Sequence, residues 1–405
     1  MEKQINRSIK LYPFYYGFVA DLLFYIAIDT LFLSLVKNFT PAEIVSLASL
    51  SQLFSILLQF PILFVIKKIG NTMSMRAGAL FMLLSAIFIT FGPNYFVVLL
   101  GRIFHDISVI FRNSSVVALE NNLEVVDRKS DFIKIRSRGN TIYAIITMLI
   151  SFVANYMFTL NNYLPMFGCI TTCAIAFVLS LFMKDHSPYN KITHTTEHKK
   201  PIKIHFNKFL VLTLIAYAVF YTVVTNGQSE GKLFIQEIIL DNFDTNKTAL
   251  IMGAVVCASR IIRVLSNIIF AKIYKKHQDK MGVALPILLS FSIGFMLFGS
   301  FIPEIITKIL VMSFGFTIIL FIRDPYNLYT QDMVFENTPK EQHQTLLTLL
   351  TLCMKLAIAG LGLIFSSILL NYPLIVVIAI LLIISAIEIV LCLRLSKEIS
   401  KGKQI

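Results

Sequence analysis

Charged and amide side chains lie where apolar runs should continue, and the most marked case is the segment Arg323–Asn327, which reads RDPYN and directly follows the apolar run Ile309–Ile322. A second segment, Phe111–Ser115 (FRNSS), interrupts an earlier apolar run. Arg112 and Arg323 occupy equivalent places in two halves of similar length. A charge inside a bilayer costs a few kcal/mol or more, so such residues usually face a bundle interior or a wet cavity and mark substrate or ion pathways.

Buried guanidinium groups indicate binding of an anion, because arginine is suited to forked hydrogen bonding of carboxylate or phosphate. The arginines that interrupt apolar runs and are candidates for this role are Arg112, Arg260, Arg263 and Arg323. The side chains expected to add hydrogen bonds to a small anionic or zwitterionic solute are Tyr25, Asn226, Glu230 and Asn327. The alternative is a purely structural network in which nearby carboxylates neutralise the arginines.

Acidic residues within apolar runs indicate proton movement. Asp21, Tyr25 and Asp29 are spaced i, i+4, i+8 and would share one face of a helix. A desolvated carboxylic acid can cross a low-dielectric site neutral and release its proton when wetted, so Asp21 is the first candidate for a proton carrier. The other candidates for proton coupling are Asp29, Asp106 and Asp324. The alternative is a set of salt bridges to arginine.

Two further patterns have competing interpretations. Arg102 and Asp106 lie one helical turn apart and would neutralise each other, and His105 beside them is expected to be a satisfied core residue. The polar run Asn226–Lys232 (NGQSEGK), with its two glycines, favours a kinked or partly unwound helix that lines water over an external loop.

The composition of the chain indicates that membrane-spanning helices position these side chains. Of 405 residues, 56% are hydrophobic and only 15% charged, where a soluble protein carries about a quarter. Runs of about 20 apolar residues are long enough to span a bilayer. They predict an all-α integral membrane protein with twelve transmembrane helices, at about 11–36, 41–66, 75–92, 95–118, 135–158, 163–183, 209–239, 247–273, 282–301, 304–330, 345–370 and 373–394.

The one long hydrophilic stretch divides the chain. It predicts an N-terminal six-helix bundle at 1–183, a cytoplasmic linker at 184–208 and a C-terminal six-helix bundle at 209–405. Most basic residues fall in loops on one predicted side, so the net charge of +13 fits the positive-inside rule without nucleic acid. Both termini are then cytoplasmic, and the cell membrane is the expected location.

Several other chemistries are not expected. The five cysteines all lie in apolar runs and are interpreted as packing residues. No phosphate-binding P-loop occurs. The pattern H-x-x-E-H at 194–198 resembles a zinc peptidase motif, but it lies in a short polar linker, so neither a metal nor a cofactor is predicted.

The chain resembles the major facilitator superfamily in its twelve spans, its basic central loop and its short basic turns after the second and eighth spans. Gly101 and Arg102 are similar to the family's arginine motif in the fourth span, with His105 where a glutamine is common. Lys67 stands where the loop motif has an aspartate, and the fifth span lacks the Gly-Pro-rich motif of drug/proton antiporters.

The resemblance implies two pseudo-symmetric six-helix bundles and a non-enzymatic, monomeric secondary transporter that works by alternating access, with a small-molecule substrate and protons as partners. An exporter or flippase of drugs or amphiphilic lipid-linked molecules is the alternative, and the abundant Phe and Met would suit it. A receptor or membrane enzyme is a further alternative, although no nucleophile–base cluster is evident.

Overall fold

The computed structural model describes residues 2–186, 207–339 and 342–402, and within these ranges the chain is helical and contains no strand. The helices are α1 (Glu2–Val19), α2 (Tyr25–Leu31), α3 (Pro41–Phe91), α4 (Tyr95–Val125), α5 (Phe132–Leu160), α6 (Leu164–Leu181), α7 (Lys208–Leu240), α8 (Thr245–Gly299), α9 (Ile305–Asn337), α10 (His343–Leu369) and α11 (Leu374–Gly402). A π-helical turn, Phe32–Val36, continues α2, and a 3₁₀ turn, Lys129–Asp131, precedes α5.

Among the described residues, nine helices are long and apolar enough to cross a membrane. Three further segments bring the number to about twelve: the second half of α3, helix α4, and the interrupted pair α1 and α2. The all-α membrane fold predicted from the sequence is therefore confirmed, with roughly the predicted number of helices. The pattern 194–198 and most of the predicted linker 184–208 lie outside the described residues.

Two predicted basic turns are short breaks within long helices. Helix α3 breaks at Gly70, where φ is +76°, a conformation that residues with a Cβ rarely adopt. Helix α8 breaks at His277, where φ is −132°. Each break therefore divides one long helix into two spans, close to Lys67 and Lys68 in the first case and to the lysine-rich segment 272–280 in the second.

The chain divides into two compact units. The first comprises Met1–Phe39 and Leu50–Glu197, and the second Thr40–Ser49 and His198–Ile405. In the first unit, α1 packs on α4, α5 and α6, and its buried Tyr12 and Tyr15 lie in an apolar core. In the second unit, α7 packs on α8, α9, α10 and α11. Helix α7 buries several polar side chains, among them Asn226, Glu230 and Gln236.

Two local predictions are wrong. Residues 20–24 separate α1 from α2, so Asp21 lies outside any helix and the predicted face that it shares with Tyr25 and Asp29 does not form. Helix α7 is continuous through its polar run, where a kink or unwound turn was predicted. Its glycines instead permit close packing, since a Cβ on Gly231 would lie 2.9 Å from the sulfur of Met296.

Candidate functional site

In the first unit, the break between α1 and α2 is held by Arg112 of α4. The last carbonyl groups of an α-helix have no partner within the helix. The Arg112 guanidinium donates to the carbonyl oxygen of Ala20 and, at 3.4 Å, to that of Val19. The Arg112 guanidinium therefore satisfies backbone carbonyls at the end of α1 and fixes where the chain leaves the helix.

The Asp21 side chain, placed by this break, is hydrogen-bonded to His105 of α4, which also lies beside Asp106. Nε2 of His105 lies 3.2 Å from Oδ1 of Asp21, and Nδ1 of His105 lies 3.5 Å from Oδ1 of Asp106. The three side chains are 27%, 17% and 13% exposed, in the order Asp21, His105, Asp106. One imidazole thus joins two carboxylates, an arrangement that can hold a proton and pass it on.

Asp106 lies close enough to Arg102 for their charges to interact, and Arg102 has a second neighbour. The guanidinium carbon of Arg102 lies 5.9 Å from the centroid of the Tyr25 ring, within range of a cation–π contact. Tyr25 is almost fully buried. Asp29 follows on α2 and accepts the backbone N–H of Thr30 at 2.8 Å. From the sequence, His105 is expected to be a core residue, and no spacing predicts that it links Asp106 to Asp21.

In the second unit, Arg263 of α8 and Asp324 of α9 form a two-pronged ion pair. The Nε and Nη2 atoms of Arg263 donate to the two carboxylate oxygens of Asp324 at 2.8 and 2.9 Å. The two side chains are 30% and 28% exposed, so the ion pair is partly accessible to solvent. Charge-assisted bonds in this forked geometry are the stronger kind and fix orientation as well as distance.

Two further arginines lie near this pair. Nη1 of Arg323 donates to Oε1 of Gln228 on α7 at 3.1 Å, and the Arg323 carbonyl accepts the hydroxyl of Tyr221 at 2.7 Å. Within the described ranges Arg260, one turn before Arg263, forms no hydrogen bond or ion pair, although its charge acts on Arg323. Three guanidinium groups are therefore gathered here, and one of them is directly paired with a carboxylate.

Amide and phenol groups lie beside these charges. The Tyr217 hydroxyl donates to Oδ1 of Asn327 at 3.0 Å, and Nε2 of Gln331 donates to the same oxygen at 3.2 Å. The rings of Tyr217 and Tyr221 are 4.7 Å apart. Asn327, predicted as a hydrogen-bonding residue, thus lies in a polar patch that α7 and α9 form together.

The other two predicted polar residues, Asn226 and Glu230, lie deeper in α7. They are 4% and 1% exposed, and Nδ2 of Asn226 and Oε2 of Glu230 have no hydrogen-bond partner among the described residues. A buried polar atom without a partner costs about 1–3 kcal/mol. Such groups are sites where a solute or water would gain hydrogen bonds.

A buried carboxyl group in α11 was not predicted. Glu388 is fully buried, and its Oε1 accepts the Tyr326 hydroxyl at 3.2 Å and the Cys392 thiol at 3.1 Å. The Tyr326 ring stacks on Phe220 at 3.5 Å between centroids. The sequence does carry a sign of this group, because Glu388 is the one acidic residue in an otherwise apolar run of about 20 residues.

Comparison with known proteins agrees with this architecture. The family model described as Major Facilitator Superfamily matches residues 14–338. A search of curated proteins found no match. Similar solved structures include a mutant of the nucleoside transporter NupG, with 10% identity and a TM-score of 0.74 over 96% of this chain and 99% of that one.

Two more structures have the same fold. NupG without that mutation has 11% identity and a TM-score of 0.71 over 97% of this chain and 98% of that one. A bacterial homologue of the iron transporter ferroportin, in the inward-facing state, has 11% identity and a TM-score of 0.68 over 96% and 98%. At these identities the likeness shows the fold, and the family model, which matches most of the chain, shows the family. The protein is a multi-pass membrane transporter that belongs to the Major Facilitator Superfamily.

Proposed function

We propose that this transporter moves a small anionic or zwitterionic solute across the cell membrane by alternating access, coupled to protons. One observation carries the proposal: among the described residues of the second unit, Arg263 is paired with Asp324, and the charges of Arg260 and Arg323 act nearby without an ion pair of their own. Charges taken out of water are costly unless they are paired. A bound anion would supply the charge that Asp324 alone does not.

In this proposal Arg323 and Arg260 contact the anionic group of the solute, and Arg263 either joins them or stays with Asp324. Asn327, at the edge of the cluster, donates or accepts a further hydrogen bond. Asn226 and Glu230 offer buried polar atoms that lack protein partners among the described residues. Arg112 and Tyr25, also predicted to bind the solute, belong to the first unit and remain proposed binding residues.

Proton coupling is proposed for the chain of Asp21, His105 and Asp106. A proton shared through the imidazole can be released to either carboxylate without a large movement of heavy atoms. Asp29 and Asp324 are the other proposed proton sites. Loss of the proton from this chain would change the charge beside the break at residues 20–24, which separates α1 from α2.

The proposed working unit is a monomer that acts without nucleic acid or cofactor. Its proposed parts are two six-helix bundles, 1–183 and 209–405, and a cytoplasmic linker, 184–208, with both termini in the cytoplasm.

A second candidate is a solute that carries a planar ring and hydrogen-bonding edges, such as a nucleoside. It is favoured by the neighbouring rings of Tyr217 and Tyr221 beside the amides of Asn327 and Gln331. Two of the three similar structures named above are of a nucleoside transporter. Aromatic rings can stack on a planar base, and amides can pair with its edge.

The test begins with ligand-dependent thermal shifts of the purified protein against anions, zwitterions, nucleosides and amphiphiles. Uptake of a stabilising anion into proteoliposomes is then measured with and without a proton gradient. Arg323→Gln is expected to abolish uptake, whereas Arg394→Gln, which removes an exposed arginine of α11, is expected to leave it unchanged. An uptake rate that is the same with and without the proton gradient would overturn proton coupling. Thermal stabilisation by nucleosides alone would favour the second candidate.

A further inference from the structure

A basic cavity lies between α1 and α5 in the first unit, away from the polar groups described above. It encloses about 490 Å³ and is lined by residues of α1, of the turn before α5, and of α5 itself. Its charged lining residues are Lys10, Arg128, Asp131, Lys134 and Arg138. Its apolar lining includes Pro13, Phe14 and Ile142.

The cavity carries an excess of positive charge. Arg128 is neutralised by Asp131, with Nη2 and Nε of the arginine 2.6 and 2.8 Å from one carboxylate oxygen. Within the described ranges Lys10, Lys134 and Arg138 form no ion pair, and all three are exposed. Three cations therefore converge on one opening without a protein anion to balance them.

Along both helices the lining of the cavity changes from basic to apolar residues in the same direction. Lys10 and Phe14 are four residues apart on α1, and Lys134, Arg138 and Ile142 are each four residues apart on α5, so each set shares one helical face. The helices run parallel, because Tyr16 packs on Gly139 while Gly17 packs on Ile142. The cavity thus has one basic end and one apolar end.

We propose that this cavity binds an anionic phospholipid, with the phosphate at Lys10, Lys134 and Arg138 and an acyl chain along Phe14 and Ile142. Phe14 is 53% exposed, as expected of a side chain that contacts lipid. Basic pockets between transmembrane helices bind anionic lipid headgroups, and clustered Lys and Arg strengthen that attraction. A free phosphate would use the basic end only, whereas a phospholipid uses both ends.

The experiment is native mass spectrometry of the full-length protein in detergent, titrated with phosphatidylglycerol, with phosphatidylcholine, or with the headgroup glycerophosphoglycerol alone. The wild type is expected to retain phosphatidylglycerol and to prefer it at least fivefold over phosphatidylcholine. In the variant Lys10→Gln/Arg138→Gln, affinity for phosphatidylglycerol should fall roughly 25-fold, from about a fivefold loss for each cation removed. The control Lys3→Gln/Arg136→Gln removes one exposed cation from each of the same helices outside the cavity and should bind as the wild type does.

Each outcome decides the proposal. Equal retention of the two lipids by the wild type overturns it, and this needs no variant. Equal loss in both double variants assigns the preference to general surface charge and overturns the site. Binding of glycerophosphoglycerol as tight as that of the lipid shows a free-anion site and overturns the role of the apolar end. Loss confined to the cavity variant, with Phe14→Ser weakening the lipid but not the headgroup, supports the proposal.

Discussion

The ion pair between Arg263 and Asp324 should show a large coupling in a double-mutant cycle. Arg263→Met leaves the carboxylate without its two charge-assisted bonds of 2.8 and 2.9 Å, and Asp324→Leu removes the same two bonds from the guanidinium. The double variant removes both charges. Because each single variant leaves one charge of the ion pair without the other, the double variant should be less destabilised than the sum of the two.

The magnitude follows from the exposure of the pair. Removing one partner costs about 3–5 kcal/mol for a buried pair and about 1 kcal/mol or less for an exposed one. At 30% and 28% exposure the cost lies between these limits, at about 2 kcal/mol for each single variant. For a chain of this length 1 kcal/mol shifts the midpoint by about 1 °C. Each single variant should therefore melt about 2 °C lower, and the double variant no more than that.

The assay is thermal unfolding of the four proteins in one detergent, followed by uptake in proteoliposomes. Arg260→Met is the matched control, because within the described ranges Arg260 has no ion-pair partner, and its removal should not lower the midpoint. Strict additivity of the two single variants would refute the pairing. A double variant that is stable yet inactive would support a role in transport, whereas a stable and active one would make the pair purely structural.

Three further predictions concern packing and anchoring, each read as the thermal midpoint. Gly315→Ala should destabilise the protein by about 1–3 kcal/mol, because the new Cβ would lie 2.5 Å from the carbonyl oxygen of Ser292. The control Gly360→Ala, with open space around it, should be neutral or slightly stabilising, and equal effects of the two variants would contradict this packing. Asp185→Ala should lower the midpoint, because the Asp185 carboxylate accepts hydrogen bonds from the side-chain amides of Asn71 and Asn121 at 2.7 and 3.0 Å. Asp185→Asn should lower it less, and an unchanged midpoint in both variants would contradict a stabilising role for these bonds. Glu388→Leu should cost about 1–3 kcal/mol, because the buried Tyr326 hydroxyl and Cys392 thiol would lose their carboxylate acceptor and keep only their mutual contact of 3.6 Å. Glu388→Gln keeps an acceptor oxygen and should cost less, and identical midpoints for the two variants would contradict this.

Hydropathy predicted the helices well because the bilayer demands long apolar runs with internally satisfied backbones. The seventh span was predicted at 209–239 and is found at Lys208–Leu240. The predicted kink in it was wrong because glycine has two uses that sequence alone does not separate. It can break a helix, or it can let another helix approach, as Gly227 does with Ile293 and Ile319.

The break after α1 had no local signal. Residues 20–24 read ADLLF and contain neither proline nor glycine. The carbonyls at the break are satisfied by an arginine about ninety residues away in sequence. Contacts of that range decide the position of Asp21, and with it the partner of His105, so the proton chain could not be assembled from helical spacing.

The repeated arginines show how far internal symmetry can be used. Arg112 and Arg323 occupy equivalent sequence positions, and both were predicted to bind solute. The Arg112 guanidinium donates to backbone carbonyls at the end of α1, whereas that of Arg323 donates to a side-chain amide and lies near two other guanidinium groups. Bonds to backbone position a helix end, whereas a side-chain amide can exchange its partner for a solute. An equal position in two halves therefore predicts equal burial of charge, and the partner atoms decide whether that charge is available to a ligand.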